Sequence, residues 1–125
     1  MTISRPPSAA TRAPLYVASY DLCRLVLEPV AALPDRDFAL CGAPAADAAR
    51  RLVVALAHAL TFTERRGERI AAADAAVVEL RIALRLLSDR GLASPGWHRL
   101  ATGQLASIGR MIGGWRRFDT RDPPE

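Results

Sequence analysis

Apolar residues recur along this chain at intervals of three and four rather than two, which is helical spacing. The first stretch runs from Leu15 to Leu33, behind a proline suited to a first helical turn, and sets Leu15, Ala18, Leu22, Leu25, Val26 and Val30 in one stripe. Pro34 ends it, and Pro34-Asp35-Arg36-Asp37 supplies turn chemistry. Phe38 to Pro44 reads as a connecting loop. Asp47 to Thr63 then places Ala48, Leu52, Ala55, Leu56, Ala59 and Leu60 on one side of a second helix. Glu64 to Glu68 is a charged turn around Gly67, and a third helix runs from about Arg69 to Arg90 before Gly91 stops it. Ser94-Pro95 joins a capping residue to a proline at the first helical position, so a fourth helix begins there and runs to about Phe118. Four helices with short connections predict an all-α, antiparallel up-and-down four-helix bundle over residues 14–118. Residues 1–13 and 119–125 read as disordered tails.

The third helix carries more apolar residues than one core can use. Ala73, Val77, Leu80, Leu84 and Leu87 make a core stripe, while Ala71, Ala75, Val78, Ile82 and Leu86 lie on nearly the opposite side. Such a helix is either sandwiched within its own bundle or covered by another subunit, and the second reading makes the chain a homo-oligomer. Arg81 and Arg85 sit between the two faces, one turn apart, where they repel modestly unless a phosphate or a partner carboxylate lies opposite. On the fourth helix, Trp97, Leu100, Ile108, Met111, Ile112 and Trp115 converge on one face, and Arg99, Arg110 and Arg117 share the opposite one. Gly109 and Gly113 lie between these faces, at a spacing that lets another backbone approach closely.

Composition sharpens this picture in three ways. The length fits one domain, and aromatics at 6% with abundant alanine favour packed helices over strands. The basic excess is all arginine, because the sequence contains no lysine. Its location matters more than its size: residues 13–94 balance, whereas residues 95–118 hold Arg99, Arg110, Arg116 and Arg117 with no acid. Charge clustered in this way fits a polyanionic partner.

Enzyme chemistry finds little to use. His58 and His98 lie on different helices, Glu64 and Glu68 are interleaved with arginines, and there is no glycine-rich phosphate loop or nucleophile elbow. Cys23 and Cys41 show no metal-binding spacing and read as free thiols of a cytoplasmic protein, a disulfide being the lesser alternative. No cofactor or metal is expected, and no uncharged run is long enough to span a bilayer.

The run LRIALRLLSDRGLAS, followed after a spacer by LASIGRMIGGWRR, resembles the carboxy-terminal half of the accessory variability determinant family of diversity-generating retroelements. That family lies within a wider group of bacterial four-helix-bundle proteins that includes those encoded in ribosomal RNA intervening sequences. The resemblance covers residues 70–117, and residues 15–69 agree only in helix lengths and turn order. It implies a homopentameric barrel that binds the retroelement's reverse transcriptase, and RNA or DNA, in support of mutagenic complementary-DNA synthesis. Arg81 and Arg85 match arginines of the family's third-helix motif, Arg110 matches the arginine of its IGR motif, and Gly113-Gly114-Trp115 match packing positions. The chain departs from the family at Trp97-His98, where an aromatic residue followed by an acid is common, and in using arginine throughout for lysine. Expected partner contacts are Arg81, Arg85, Arg99, Arg110, Arg116 and Arg117, with Val78, Ile82, Leu86, Gly109 and Gly113 at the oligomer interface. The alternative is an oligomeric interaction scaffold of the intervening-sequence type with no nucleic-acid role.

Overall fold

A computed structural model describes residues 13–121, and these residues are mostly helical with no strand among them. Helix α1 spans Pro14–Ala31, α2 Ala43–Thr61, α3 Arg66–Asp89 and α4 Pro95–Arg121. The helices pack in a cycle: α1 touches α2 and α4, α3 touches α2 and α4, and α1 and α3 occupy opposite corners. An all-helical bundle of four helices is what the apolar periodicity implies. Most of the two predicted tails lies outside the described residues.

The third helix begins at Arg66, so Gly67 and Glu68, expected in a charged turn, lie in its first turn, and two further boundaries differ from the sequence reading. Phe38 to Pro44 is not a loop: Asp35–Asp37 form one α-turn, Phe38–Gly42 a π-turn, and the backbone runs on into α2 without a break. The same acids that suit a turn also suit a helix start, where negative charge meets the positive end of the helix dipole. The Ala43 N–H reaches back five residues to the Phe38 carbonyl. That wider turn sits just before Pro44, which has no N–H to donate and whose ring crowds the preceding turn. Gly42 fits closely here, because a Cβ at that position would meet Leu33 Cδ1 at 3.0 Å, Val30 Cγ1 at 3.1 Å and the Phe38 ring at 3.2 Å, so a side chain must push these neighbours aside. The second difference is at the other end. Residues 119–121 continue α4 instead of fraying, since no glycine or proline interrupts the chain between Gly114 and Pro123.

The core is built chiefly from leucine, isoleucine, valine and alanine. Leu22, Leu52, Leu56, Leu80, Leu84 and Ile112 are fully buried, and buried alanines such as Ala45, Ala49, Ala73 and Ala76 let neighbouring helices approach closely. Each buried leucine contributes about 1.5–3 kcal/mol relative to exposure. The core stripe of α4 is Ala101, Leu105, Ile108 and Ile112, with Trp97 and Trp115 partly buried beside it. Leu100 and Met111, expected on that stripe, are exposed instead. They stand to one side of the line that Ala101, Leu105 and Ile112 define.

Helix ends follow local chemistry. Gly91 takes a positive φ of 71°, with its N–H on the Ser88 carbonyl and the Leu92 N–H on the Leu87 carbonyl at 2.9 Å, so two of the end carbonyls of α3 find partners in the turn that follows. Ser94 Oγ accepts from the Trp97 N–H at 3.2 Å and caps α4. Arg66 Nε donates to the Ala59 carbonyl at 3.1 Å near the end of α2, and its guanidinium lies over the Trp115 ring at 5.7 Å.

Candidate functional site

An open groove runs between α3 and α4, with a cavity volume of about 740 Å³. Arg81 and Val78 line its α3 wall, Arg110 and Arg117 its α4 wall, and Gly109 and Gly113 its α4 floor. Helical periodicity explains the assembly. The buried stripe Ala101, Leu105, Ile108 and Ile112 turns one side of α4 inward, so the line carrying Arg99, Arg110 and Arg117 must point outward, and all three are exposed. Val77 and Leu80, buried on α3, fix the neighbouring Arg81 at the groove edge.

The structure therefore gathers Arg81, Arg110 and Arg117 with Val78, Gly109 and Gly113 in one place. Among the described residues, Arg81 and Arg110 make no ion pair. Arg116 is held differently, its guanidinium paired with Asp74 so that it clamps α4 to α3. Arg85 lies one turn beyond Arg81 and faces Asp89 at 3.6 Å, both well exposed. Arg99 does not line the groove and stands about 16 Å further along α4 from Arg110, at 1.5 Å per residue.

Asp74 is the charged groove residue that the sequence reading left out. It sits seven residues before Arg81, on the same line of α3, so periodicity would have placed a carboxylate beside the arginines. Pairing with Arg116 neutralises it, and the groove keeps its positive character.

Neither glycine of the floor is needed for packing inside this chain. A Cβ at Gly109 would meet Val77 Cγ1 at 3.8 Å and Arg81 Nη2 at 3.9 Å, and one at Gly113 would meet Arg117 Nη1 at 3.6 Å, all ordinary contacts. Two helix-weakening residues thus line an open surface where something from outside can come close.

The second face of α3 is uncovered. Val78, Ile82 and Leu86 are 51%, 58% and 47% exposed, so α3 is not sandwiched in its own bundle. Among the described residues no three metal-binding side chains converge, and no helix is long and apolar enough to cross a membrane. Cys23 and Cys41 are free and buried, and desolvation holds the Cys23 thiol above its ordinary pKa, with Arg50 opposing that shift. Such a thiol is protonated and a weak nucleophile. His58 borders a smaller pocket with Arg65, Glu68 and Arg69, and its ring lies 6.0 Å from that of Phe62.

Compared with family models, curated proteins and solved structures, the chain has no match.

Proposed function

We propose that this chain is a non-enzymatic, self-associating scaffold that binds the phosphate backbone of RNA or DNA through the outer face of α4. The observation that supports it most directly is the line Arg99, Arg110 and Arg117, exposed opposite the core, with Arg110 and Arg117 also lining the groove between α3 and α4. Eighteen residues separate Arg99 from Arg117, so the track is about 27 Å long. The groove has no aromatic lining to stack bases and no carboxamide to read base edges, so binding goes to phosphates and is tolerant of sequence. The resemblance of LRIALRLLSDRGLAS and IGRMIGGWRR to the accessory proteins of diversity-generating retroelements extends the proposal. In that setting the scaffold is a homopentamer that also binds the reverse transcriptase and supports synthesis of mutagenised complementary DNA.

Fluorescence anisotropy with labelled RNA and DNA duplexes of unrelated sequence tests the binding. Affinity is expected to be similar for all sequences and to fall steeply between about 50 and 200 mM salt, with a log–log slope of about −0.9 for each phosphate contacted on a DNA duplex. A flat salt response would overturn the proposal. Co-expression with a reverse transcriptase encoded beside the gene tests the partner, and recovery of both chains in one complex is the expected result. The exposed stripe Val78, Ile82 and Leu86 favours a second reading, an oligomeric interaction scaffold without nucleic acid, which the flat salt response would select.

A further inference from the structure

Self-association leaves open which surfaces meet, and the charges on α3 restrict the choice. If two copies met through α3 alone, with a two-fold axis near Ile82, Arg81 and Arg85 of one copy would be drawn against the same two arginines of the other. Arg85 has Asp89 nearby, but Arg81 has no ion-pair partner among the described residues to soften that encounter. A face of this kind needs a partner that is apolar and acidic.

The opposite corner of the bundle presents one. Helix α1 leaves Val17 and Tyr20 exposed, at 42% and 48%, beside the exposed carboxylates of Asp21 and Glu28. Among the described residues neither acid makes an ion pair. They are seven residues apart, two helical turns on one line, with Arg24 between them, so the face is acidic overall. Because α1 and α3 share no packing contact and lie at opposite corners, one copy can present both faces at once.

We propose that copies of this chain associate head to tail, the outer face of α1 from one copy seating on the Val78–Ile82–Leu86 stripe of the next, with Arg81 facing Asp21 and Glu28. This inference rests on the self-association part of the proposed function. It gives Arg81 a carboxylate partner while leaving Arg99, Arg110 and Arg117 on α4 to phosphate. The contact is heterologous, so repeated use generates a ring where the rotation closes.

Two variants of the full chain test it by sedimentation velocity at micromolar concentration. Asp21→Arg with Glu28→Arg spoils the α1 face, and Ile82→Asp spoils the α3 face. All three side chains are exposed, and circular dichroism verifies that each variant keeps its helices. Wild type is expected to be oligomeric, and each variant alone a monomer. Mixed in equal amounts, the two variants are expected to form a one-to-one pair and nothing larger, because only one intact α1 face and one intact α3 face remain. A two-fold contact between α3 helices predicts no such rescue. If either variant assembles as wild type does, or the mixture stays monomeric while wild type assembles, the head-to-tail contact is wrong and self-association stands. A monomeric wild type removes both. Duplex binding by the Asp21→Arg, Glu28→Arg variant is expected to persist in either case, since its α4 arginines are intact.

Discussion

Three glycines in this bundle look alike in sequence and differ in what surrounds them. At Gly42, the last residue of the π-turn, a methyl group would press on Leu33, Val30 and Phe38 at 3.0–3.2 Å. Gly42→Ala is expected to lower stability by about 1–3 kcal/mol through overpacking. At Gly109 and Gly113 the same methyl group finds ordinary contact distances and removes the entropy penalty of glycine within a helix. Each of Gly109→Ala and Gly113→Ala is expected to raise stability by up to about 1 kcal/mol. Urea denaturation of the three variants checks the contrast, and a loss of stability in either α4 variant would mean that the glycine is needed for a close contact, within the chain or with another copy. The sequence distinguishes none of this. Gly42 lies in a stretch that reads as a loop, and Gly109 and Gly113 follow the same small-residue spacing whether the close neighbour is their own bundle or another molecule.

At the scale of helices, α1 and α4 are joined by a bond that begins with a missing donor. Pro29 lies inside α1 and has no N–H, so the Leu25 carbonyl, four residues earlier, loses its helical partner. The Trp97 indole N–H donates to that carbonyl at 3.1 Å, across 72 residues of sequence. Trp97→Phe should therefore cost about 1–3 kcal/mol, since it leaves a part-buried acceptor unsatisfied as well as trimming the ring. In a Pro29→Ala background residue 29 regains an N–H for Leu25, and the same substitution should cost less. A double-mutant cycle by thermal denaturation measures the difference, and additive effects would show that the carbonyl does not depend on the indole. The periodicity of α1 and the capping chemistry at Ser94-Pro95 and Gly91 were legible because they depend on neighbours within one turn. The proline–tryptophan link was not, because nothing local in WHR announces a carbonyl on another helix. For the same reason Leu100 and Met111 could be counted into a core stripe that Ala101 and Leu105 in fact fill. A wide apolar arc on α4 offers several directions, and only the packing of α1 and α3 selects one.

Over the whole molecule, the formal charge of +4 admits two accounts of any polyanion binding, and they separate cleanly. If net charge alone attracts phosphate, any two arginines are equivalent. If the α4 track does so, position decides. Arg50 and Arg51 lie on α2, at the corner opposite α4, each beside a carboxylate, of Asp47 and Glu79 respectively. Exposed pairs of this kind contribute little to stability, so Arg50→Ala with Arg51→Ala should fold normally while removing the same charge as Arg110→Ala with Arg117→Ala. The α4 double variant is expected to lose about two phosphate contacts, reducing the log–log salt slope by about 1.8 on a DNA duplex, and the α2 double variant to keep the wild-type slope. Equal losses would assign the binding to net charge and dissolve the track as a site. The arginine line was legible in the sequence because its residues share one helix. That Arg81 joins it across a groove, while Arg116 is drawn off to Asp74, depends on how α3 and α4 are set side by side. The slope comparison thus weighs the line that one helix creates, apart from the groove that only the folded bundle adds.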